Sequence, residues 1–280
     1  HEAMSSTVYA LIDCNTFYAS CEKLFRPDLK NAALVVLSNN DGCVVALSKE
    51  AKELGIKRGV ALFQITDLIK KHRVEVFSSN YELYGDLSRR VMQVLSRFAP
   101  EIEVYSIDEA FLNLSGMRRQ DLNAYARQIQ QAVVKSTGLA VSVGIGETKT
   151  LAKLANKIGK KYKGYQGVFN ITAHPKLDEI FKSFNVSDVW GIGFQHTKKL
   201  VKNRILSIHD LINAEDAWIK KNLTARGLLT VMELRGISAI PLERAVKNKK
   251  TILSSRSFAR PVSTKNELAQ ALSFHAAQAA

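Results

Sequence analysis

The sequence predicts an α+β chain: a mixed or antiparallel sheet backed by two helices, followed by a helical region without long strands. Three observations carry this. Short β-branched and apolar runs alternate with long amphipathic stretches in the order strand, helix, helix, strand, hairpin strand, helix, strand, a split βαβ pattern. Residues 101–105 and 110–114 alternate like strands with no Gly or Pro between them, so they close into a tight hairpin around Ser106-Ile107-Asp108-Glu109. From His174 onward the apolar strands stop and helical segments take over.

Residues 8–12 are apolar and rich in β-strand formers, and they run directly into Asp13 and Cys14, which places Asp13 at a strand's C-terminal end. Asn15 and Thr16 can cap the helix that follows. It carries Phe17, Tyr18, Cys21 and Leu24 at helical spacing and stops before Pro27. Such a stripe packs into a core without further purpose. Residues 33–37 and 43–47 form two strands around a loop whose Asn39, Asn40, Asp41 and Gly42 tolerate unusual backbone angles. Ser48 then caps a short helix over 49–54 that ends at Gly55, completing a small αβ unit. Lys49 and Lys52 share one face near that helix's start, where cations gain nothing from the macrodipole. An anion would compensate them, and plain solvation explains them equally well.

The longest early helix covers residues 80–98, with Tyr84, Leu87, Val91, Val94, Leu95 and Phe98 at helical spacing and Pro100 beyond it. It delivers the chain to the acidic hairpin. Neighbouring side chains on a strand point to opposite faces, so Asp108 and Glu109 can reach one site only where the backbone turns. A helix over 122–136 and a strand over 139–146 complete a sheet that can bring Asp13 to the pair. Clustered carboxylates at a strand end suit a hard cation such as magnesium; the plain alternative is a solvated turn with two charges.

The next helix carries Lys149, Lys153, Lys157, Lys160 and Lys161, with Leu151, Leu154, Ala155 and Ile158 between them. That pattern predicts one buried face and one face of cations open to phosphate. Farther on, Gly191-Ile192-Gly193 lies between two short helices, with Lys198, Lys199 and Lys202 following. A Gly-x-Gly turn lets backbone amides approach an anion closely, although a structural turn between packed helices needs glycine as well. After a basic linker at 244–250, a strand over 251–258 and a helix over 266–280 begin a third domain that the chain does not complete.

Composition narrows the partner. The 280 residues have 46% apolar content, ordinary for a globular protein, and a formal charge of +14 with a pI near 9.7. Such a balance favours a polyanion, nucleic acid first. No apolar run is long enough to span a membrane and no signal segment opens the chain; His1-Glu2-Ala3 read as a tail added before Met4. Cys14, Cys21 and Cys43 lack zinc-like spacing and read as reduced, intracellular and non-catalytic.

Four stretches, in order, resemble the Y-family translesion DNA polymerases, and within them the UmuC-type catalytic subunits of bacterial DNA polymerase V. They are Asp13-Cys14-Asn15-Thr16-Phe17-Tyr18-Ala19-Ser20, Asn39-Asn40-Asp41-Gly42-Cys43-Val44-Val45-Ala46, Tyr105-Ser106-Ile107-Asp108-Glu109-Ala110-Phe111, and Val143-Gly144-Ile145-Gly146 through Lys149-Thr150-Leu151-Ala152-Lys153-Leu154-Ala155-Asn156. The resemblance implies a right-hand architecture: palm at 4–16 and 79–170, small αβ fingers at 17–78, helical thumb with a helix-hairpin-helix at 171–245, and the opening of an incomplete little finger at 252–280. It implies that Asp13, Asp108 and Glu109, with the main-chain oxygen of Cys14, hold two magnesium ions for template-directed addition of deoxynucleoside triphosphates.

By the same resemblance Tyr18 is the steric gate against ribose, Phe17 packs beside the sugar, and Lys160 binds the incoming triphosphate. Lys49 and Lys52 stand where many relatives have Tyr and Arg, so bidentate phosphate recognition is lost there. Gly42, Cys43 and Gly59 resemble the small residues that roof the nascent base pair, and Gly191, Gly193, Lys198 and Lys199 resemble a duplex-gripping hairpin. Primer-template DNA, a UmuD-type dimer, a RecA filament and a sliding clamp follow as partners, with a cytoplasmic, nucleoid-associated setting in the SOS response and no membrane. The clamp motif is expected in a missing C-terminal part. A non-catalytic nucleic-acid-binding protein with this fold would not need all three acids and the tyrosine, and a nucleotidyl cyclase would not need the basic Gly-x-Gly hairpin.

Overall fold

The computed structural model describes residues 7–243; the strand expected at 251–258 and the helix expected at 266–280 lie outside the described residues. The first part comprises β1 (Tyr9–Cys14), α1 (Phe17–Leu24), β2 (Leu34–Leu37), β3 (Val44–Leu47), α2 (Lys49–Glu53), α3 (Thr66–His72) and β4 (Glu75–Ser78). Then come α4 (Tyr81–Leu95), β5 (Ile102–Ser106), β6 (Glu109–Asn113), α5 (Leu122–Thr137), β7 (Val141–Gly146), α6 (Lys149–Lys161) and β8 (Val168–Asn170). The helical remainder is α7 (Leu177–Ser183), α8 (Phe194–Lys202), α9 (Ile208–Ile212) and α10 (Asp216–Leu234). The chain is thus α+β, as its patterning predicts.

Five strands form the main sheet in the order β5-β6-β1-β7-β8, antiparallel except for the β7–β8 pair. Its alternating side chains feed two cores. Ala10, Ile12, Ile102, Val104, Ala110, Leu112, Val143 and Ile145 pack with α4 and α5 through Leu87, Val91, Ile129 and Val133. Tyr9, Leu11, Tyr105 and Phe111 face the other way, toward Ala152 of α6 and Trp190. The sheet is therefore covered on both faces, one helix more than expected. Gly144 permits the close approach of α6: a Cβ there would lie 2.1 Å from the Asn156 nitrogen. The Asn156 side-chain amide in turn donates to the carbonyls of Leu11 and Ser142, at 3.0 and 3.1 Å.

The small αβ unit is a second sheet ordered β3-β2-β4. β2 and β3 form the expected hairpin, with Gly42 at φ 68°, and β4 adds a parallel strand that the sequence pattern did not reveal. Ser48 caps α2 as expected, accepting from the Ala51 N–H at 3.2 Å, and also accepts from the Leu34 N–H at 3.0 Å. The cap expected for α1 is different. Thr16 takes a left-handed backbone (φ 41°) and makes no side-chain capping bond, while Asn15 accepts from the Ser142 hydroxyl at 2.7 Å. Tying Asn15 to β7 leaves the chain a sharp reversal between β1 and α1, which the left-handed residue supplies.

The apolar core of the helical remainder does not begin at its own first residue. Leu151, Leu154, Ala155 and Ile158 of α6 belong to one cluster with Phe181, Leu200, Leu211, Ile219 and Leu234. Buried Glu233 secures the join: one carboxylate oxygen accepts from the Thr150 N–H and hydroxyl, both at 3.0 Å, and the other from the N–H groups of Ala239 and Ile240 at 2.8 and 3.0 Å. Four donors satisfy the buried carboxyl group's hydrogen-bonding capacity without water.

Candidate active site

β1 and β6 are antiparallel neighbours in a register that sets Asp13 directly opposite Glu109. The turn between β5 and β6 holds Asp108, and the Cys14 N–H donates to the Asp108 carbonyl at 2.9 Å. Three carboxylates thus share one corner of the sheet, brought there by a strand end and a hairpin far apart in sequence. Ser106, a residue to which sequence reasoning gave no role, lies under them. Its hydroxyl is 2.8 Å from Asp108 Oδ1 and 3.1 Å from Glu109 Oε2, so its single proton serves one acid at a time.

The corner is electrostatically unbalanced. Burial, then the neighbouring Asp13 and Glu109 carboxylates, push Asp108 up to about 8. Burial also raises Asp13, and the Lys160 ammonium on its carboxylate opposes that rise. Lys153 ion-pairs with Glu109 at 2.8 Å. Burial works to lower the Lys153 pKa, but Glu109 outweighs it and the net shift is upward.

Lys157, Lys160 and Lys161 give α6 the exposed cations expected of it, but most of its lysines are also ion-paired within the protein. Lys149 is buried against Glu103 at 2.6 Å, Lys157 pairs with Asp188 at 3.1 Å, and Lys153 and Lys160 close on the acid corner. The partners lie on β1, β5, β6 and the segment before Trp190, which no local spacing discloses. Among the described residues, no three carboxylate, thiol or imidazole groups are gathered to hold one metal ion as they stand. At this corner two of the three carboxylates are turned onto lysines instead. The donor set still fits a hard divalent cation: every candidate ligand is an oxygen, and Asp13 and Glu109 lie close enough to Asp108 to add to burial in raising its carboxyl.

Tyr18 lies beside the acids on α1, and the Asp108 carboxylate adds to the effect of burial in raising its phenol. Its ring stacks on Tyr84 with centroids 4.5 Å apart and planes at 13°, and Tyr81 meets it edge-on at 6.3 Å. Tyr84 donates to Glu22 at 2.6 Å, which anchors the stack. Phe17 is buried next to Tyr18 and tilted against it. On the second sheet, Cys43 is bridged to Ala61, and the Gly59 N–H donates to the Val44 carbonyl at 2.7 Å. Gly42, Cys43 and Gly59 therefore lie along one short two-stranded edge, while Lys49 and Lys52 stand exposed on α2. Gly191 (φ 91°) and Gly193 form an exposed turn before α8, where Lys198 and Lys199 are also exposed. All three cysteines are free, with Cys14 and Cys21 buried.

The fold is that of the Y-family polymerases. A solved structure described as a Dbh ternary complex superposes with a TM-score of 0.72 at 25% identity, covering 85% of this chain and 69% of that one. A Y-family DNA polymerase chimera gives a TM-score of 0.73 at 24% identity, with 84% and 69% covered. A family model described as impB/mucB/samB matches residues 12–157, and the chain belongs to that family. It is 45% identical to Protein UmuC and 44% identical to Protein SamB, both of Salmonella typhimurium, over 98% of its own length in each case. It spans 65% of the length of each of these relatives. DNA polymerase IV of Treponema denticola is 29% identical over 82% of this chain and 57% of its own. Among the described residues no helix is long and apolar enough to cross a membrane.

Proposed function

We propose that the chain is the catalytic part of an error-prone translesion DNA polymerase, extending a primer 3′ end with deoxynucleotides under the direction of a template. The observation that carries this is the convergence of Asp13, Asp108 and Glu109 on one sheet corner beside the stacked ring of Tyr18. In this reading the palm is 4–16 and 79–170, the fingers 17–78, the thumb 171–245, and the little finger starts at 252.

Asp13, Asp108, Glu109 and the Cys14 carbonyl oxygen would hold two magnesium ions, which would supply activation of the primer hydroxyl and neutralisation of charge on the α-phosphate and leaving pyrophosphate. The protein's own groups do the rest. Lys160, exposed at its tip, exchanges Asp13 for the incoming triphosphate, with Lys49 and Lys52 as point charges from the fingers. Tyr18, backed by Tyr84, denies space to a ribose 2′-hydroxyl, and Phe17 keeps its backbone in place. Gly42, Cys43 and Gly59 roof the nascent pair with little bulk, so shape selection is loose and lesions fit. The Gly191–Gly193 turn and Lys198 and Lys199 grip the duplex backbone without reading sequence.

A UmuD-type dimer, a RecA filament and a sliding clamp are the partners, and the SOS response in the bacterial cytoplasm, at the nucleoid, is the setting. Single-turnover primer extension at low salt, with enzyme in excess, tests the reading. Incorporation that disappears in Asp108→Ala and on chelation of magnesium supports it. Incorporation that survives both, or an inactive chain whose longer form is also inactive, overturns it.

A further inference from the structure

Lys153 Nζ meets a carboxylate and two aromatic faces at once. Its Nζ is 2.8 Å from Glu109 Oε1, and it also lies 5.1 Å from the Tyr105 ring centroid and 5.6 Å from that of Trp190. The two rings meet edge to face at 5.6 Å, and the Trp190 indole N–H donates to the Tyr105 hydroxyl at 3.1 Å. Lys149, fixed in its ion pair with Glu103, sits over Phe111 and Trp190 on the same aromatic cluster. Trp190 is the residue immediately before the Gly191-Ile192-Gly193 turn. One half-buried indole therefore connects that turn, through a lysine, to a carboxylate of the acid corner.

A divalent cation at Glu109 and an ammonium at the same carboxylate repel each other, so one must yield. The Lys153 side chain is only 15% exposed, and the aromatic faces beside it accept an ammonium at modest cost. We propose that Lys153 is a positioning residue that moves between Glu109 and the Tyr105–Trp190 faces, and that Trp190 thereby sets the affinity of the acid corner for divalent metal. This rests on the metal-holding role assigned above. It makes metal affinity depend on the placement of the turn that grips the duplex, and by linkage the reverse.

The test is Mn2+ binding to the full chain, followed by electron paramagnetic resonance at pH 8 without nucleotide. Lys153→Met removes a competing cation and tightens binding. Trp190→Leu removes one of the two faces that make up the lysine's alternative place and weakens binding by about fivefold, whereas Trp190→Phe, which keeps a ring face, stays near the parent. The Lys153→Met/Trp190→Leu double variant matches Lys153→Met, because Trp190 acts only through the lysine. If Trp190→Leu weakens binding equally in the Lys153→Met background, or Lys153→Met does not tighten it, the proposal is overturned. A parent chain that binds no Mn2+ overturns the metal-holding role as well. Binding that is lost in Asp108→Ala but indifferent to the Lys153 and Trp190 variants overturns this inference alone.

Discussion

Tyr18 lies flat against Tyr84, ring centroids 4.5 Å apart and planes only 13° from parallel, with the Tyr84 hydroxyl fastened to Glu22. A ring fixed in this way excludes a substituent by position, because it has no room to swing aside. Tyr18→Ala is therefore expected to admit ribonucleotides, measured as the ratio of ribo- to deoxynucleotide incorporation in primer extension. Tyr84→Leu, which frees the ring without removing it, should raise the same ratio by a smaller factor. Unchanged sugar selection in Tyr18→Ala removes the gate from this residue.

The raised Asp108 carboxyl couples stability to pH. Its folded value of about 8 lies above the unfolded carboxylate range, so the folded state holds the proton more tightly. The stability this contributes is present at acid pH and is lost as pH rises through about 8. In chelator, the urea midpoint should fall as pH rises from about 4 to about 8 and level off above that, and Asp108→Asn should flatten the fall. Both follow from equilibrium unfolding monitored by circular dichroism.

Gly144→Ala is expected to cost at least about 3 kcal/mol, the upper end of overpacking penalties, because the contact is with backbone on both sides. The added carbon would meet the Asn156 nitrogen at 2.1 Å and the Ala152 carbonyl oxygen at 2.3 Å. The helix must lift from the sheet, which draws Lys153 and Lys160 away from Glu109 and Asp13. Thermal unfolding reports the first effect, and a drop in primer-extension rate at a temperature where the variant is folded reports the second.

Ser48→Ala removes a buried hydroxyl that accepts from Ala51 and Leu34 and donates to the Ala32 carbonyl at 3.3 Å. Losing the cap and stranding the Leu34 N–H should together cost about 1–3 kcal/mol. Because α2 is only five residues long, its Lys49 and Lys52 should lose their fixed placement too. Denaturant titration gives the stability change, and the Michaelis constant for nucleotide gives the placement.

Much of this was legible from the chain. The strand ending in Asp13 and the hairpin around Asp108 and Glu109 announce themselves because apolar alternation stops abruptly at charged residues. The Ser48 cap is a local contact, within three residues of its partner, and local contacts leave local patterns. What stayed hidden is non-local. β4 is a four-residue edge strand with Val76 and Ser78 outward, too short and too polar to stand out. The lysines of α6 read as a face open to phosphate because their partners Glu103, Glu109, Asp13 and Asp188 are distant in sequence. Ser106 could have been noticed, since a hydroxyl two residues before one acid and three before another is placed to serve both.

The shared core between α6 and the helical remainder bears on how this protein can be taken apart. Ala152 and Asn156 turn one side of α6 toward the sheet, while Leu151, Leu154 and Ile158 are buried among Phe181, Leu200 and Leu234. A fragment cut at the start of the helical region would present that apolar surface to water and would stick to its neighbours. Grafting a foreign helical region onto this sheet, or exchanging the two parts between relatives, therefore requires the seam to run along α6 itself, with its outer face matched to the incoming partner.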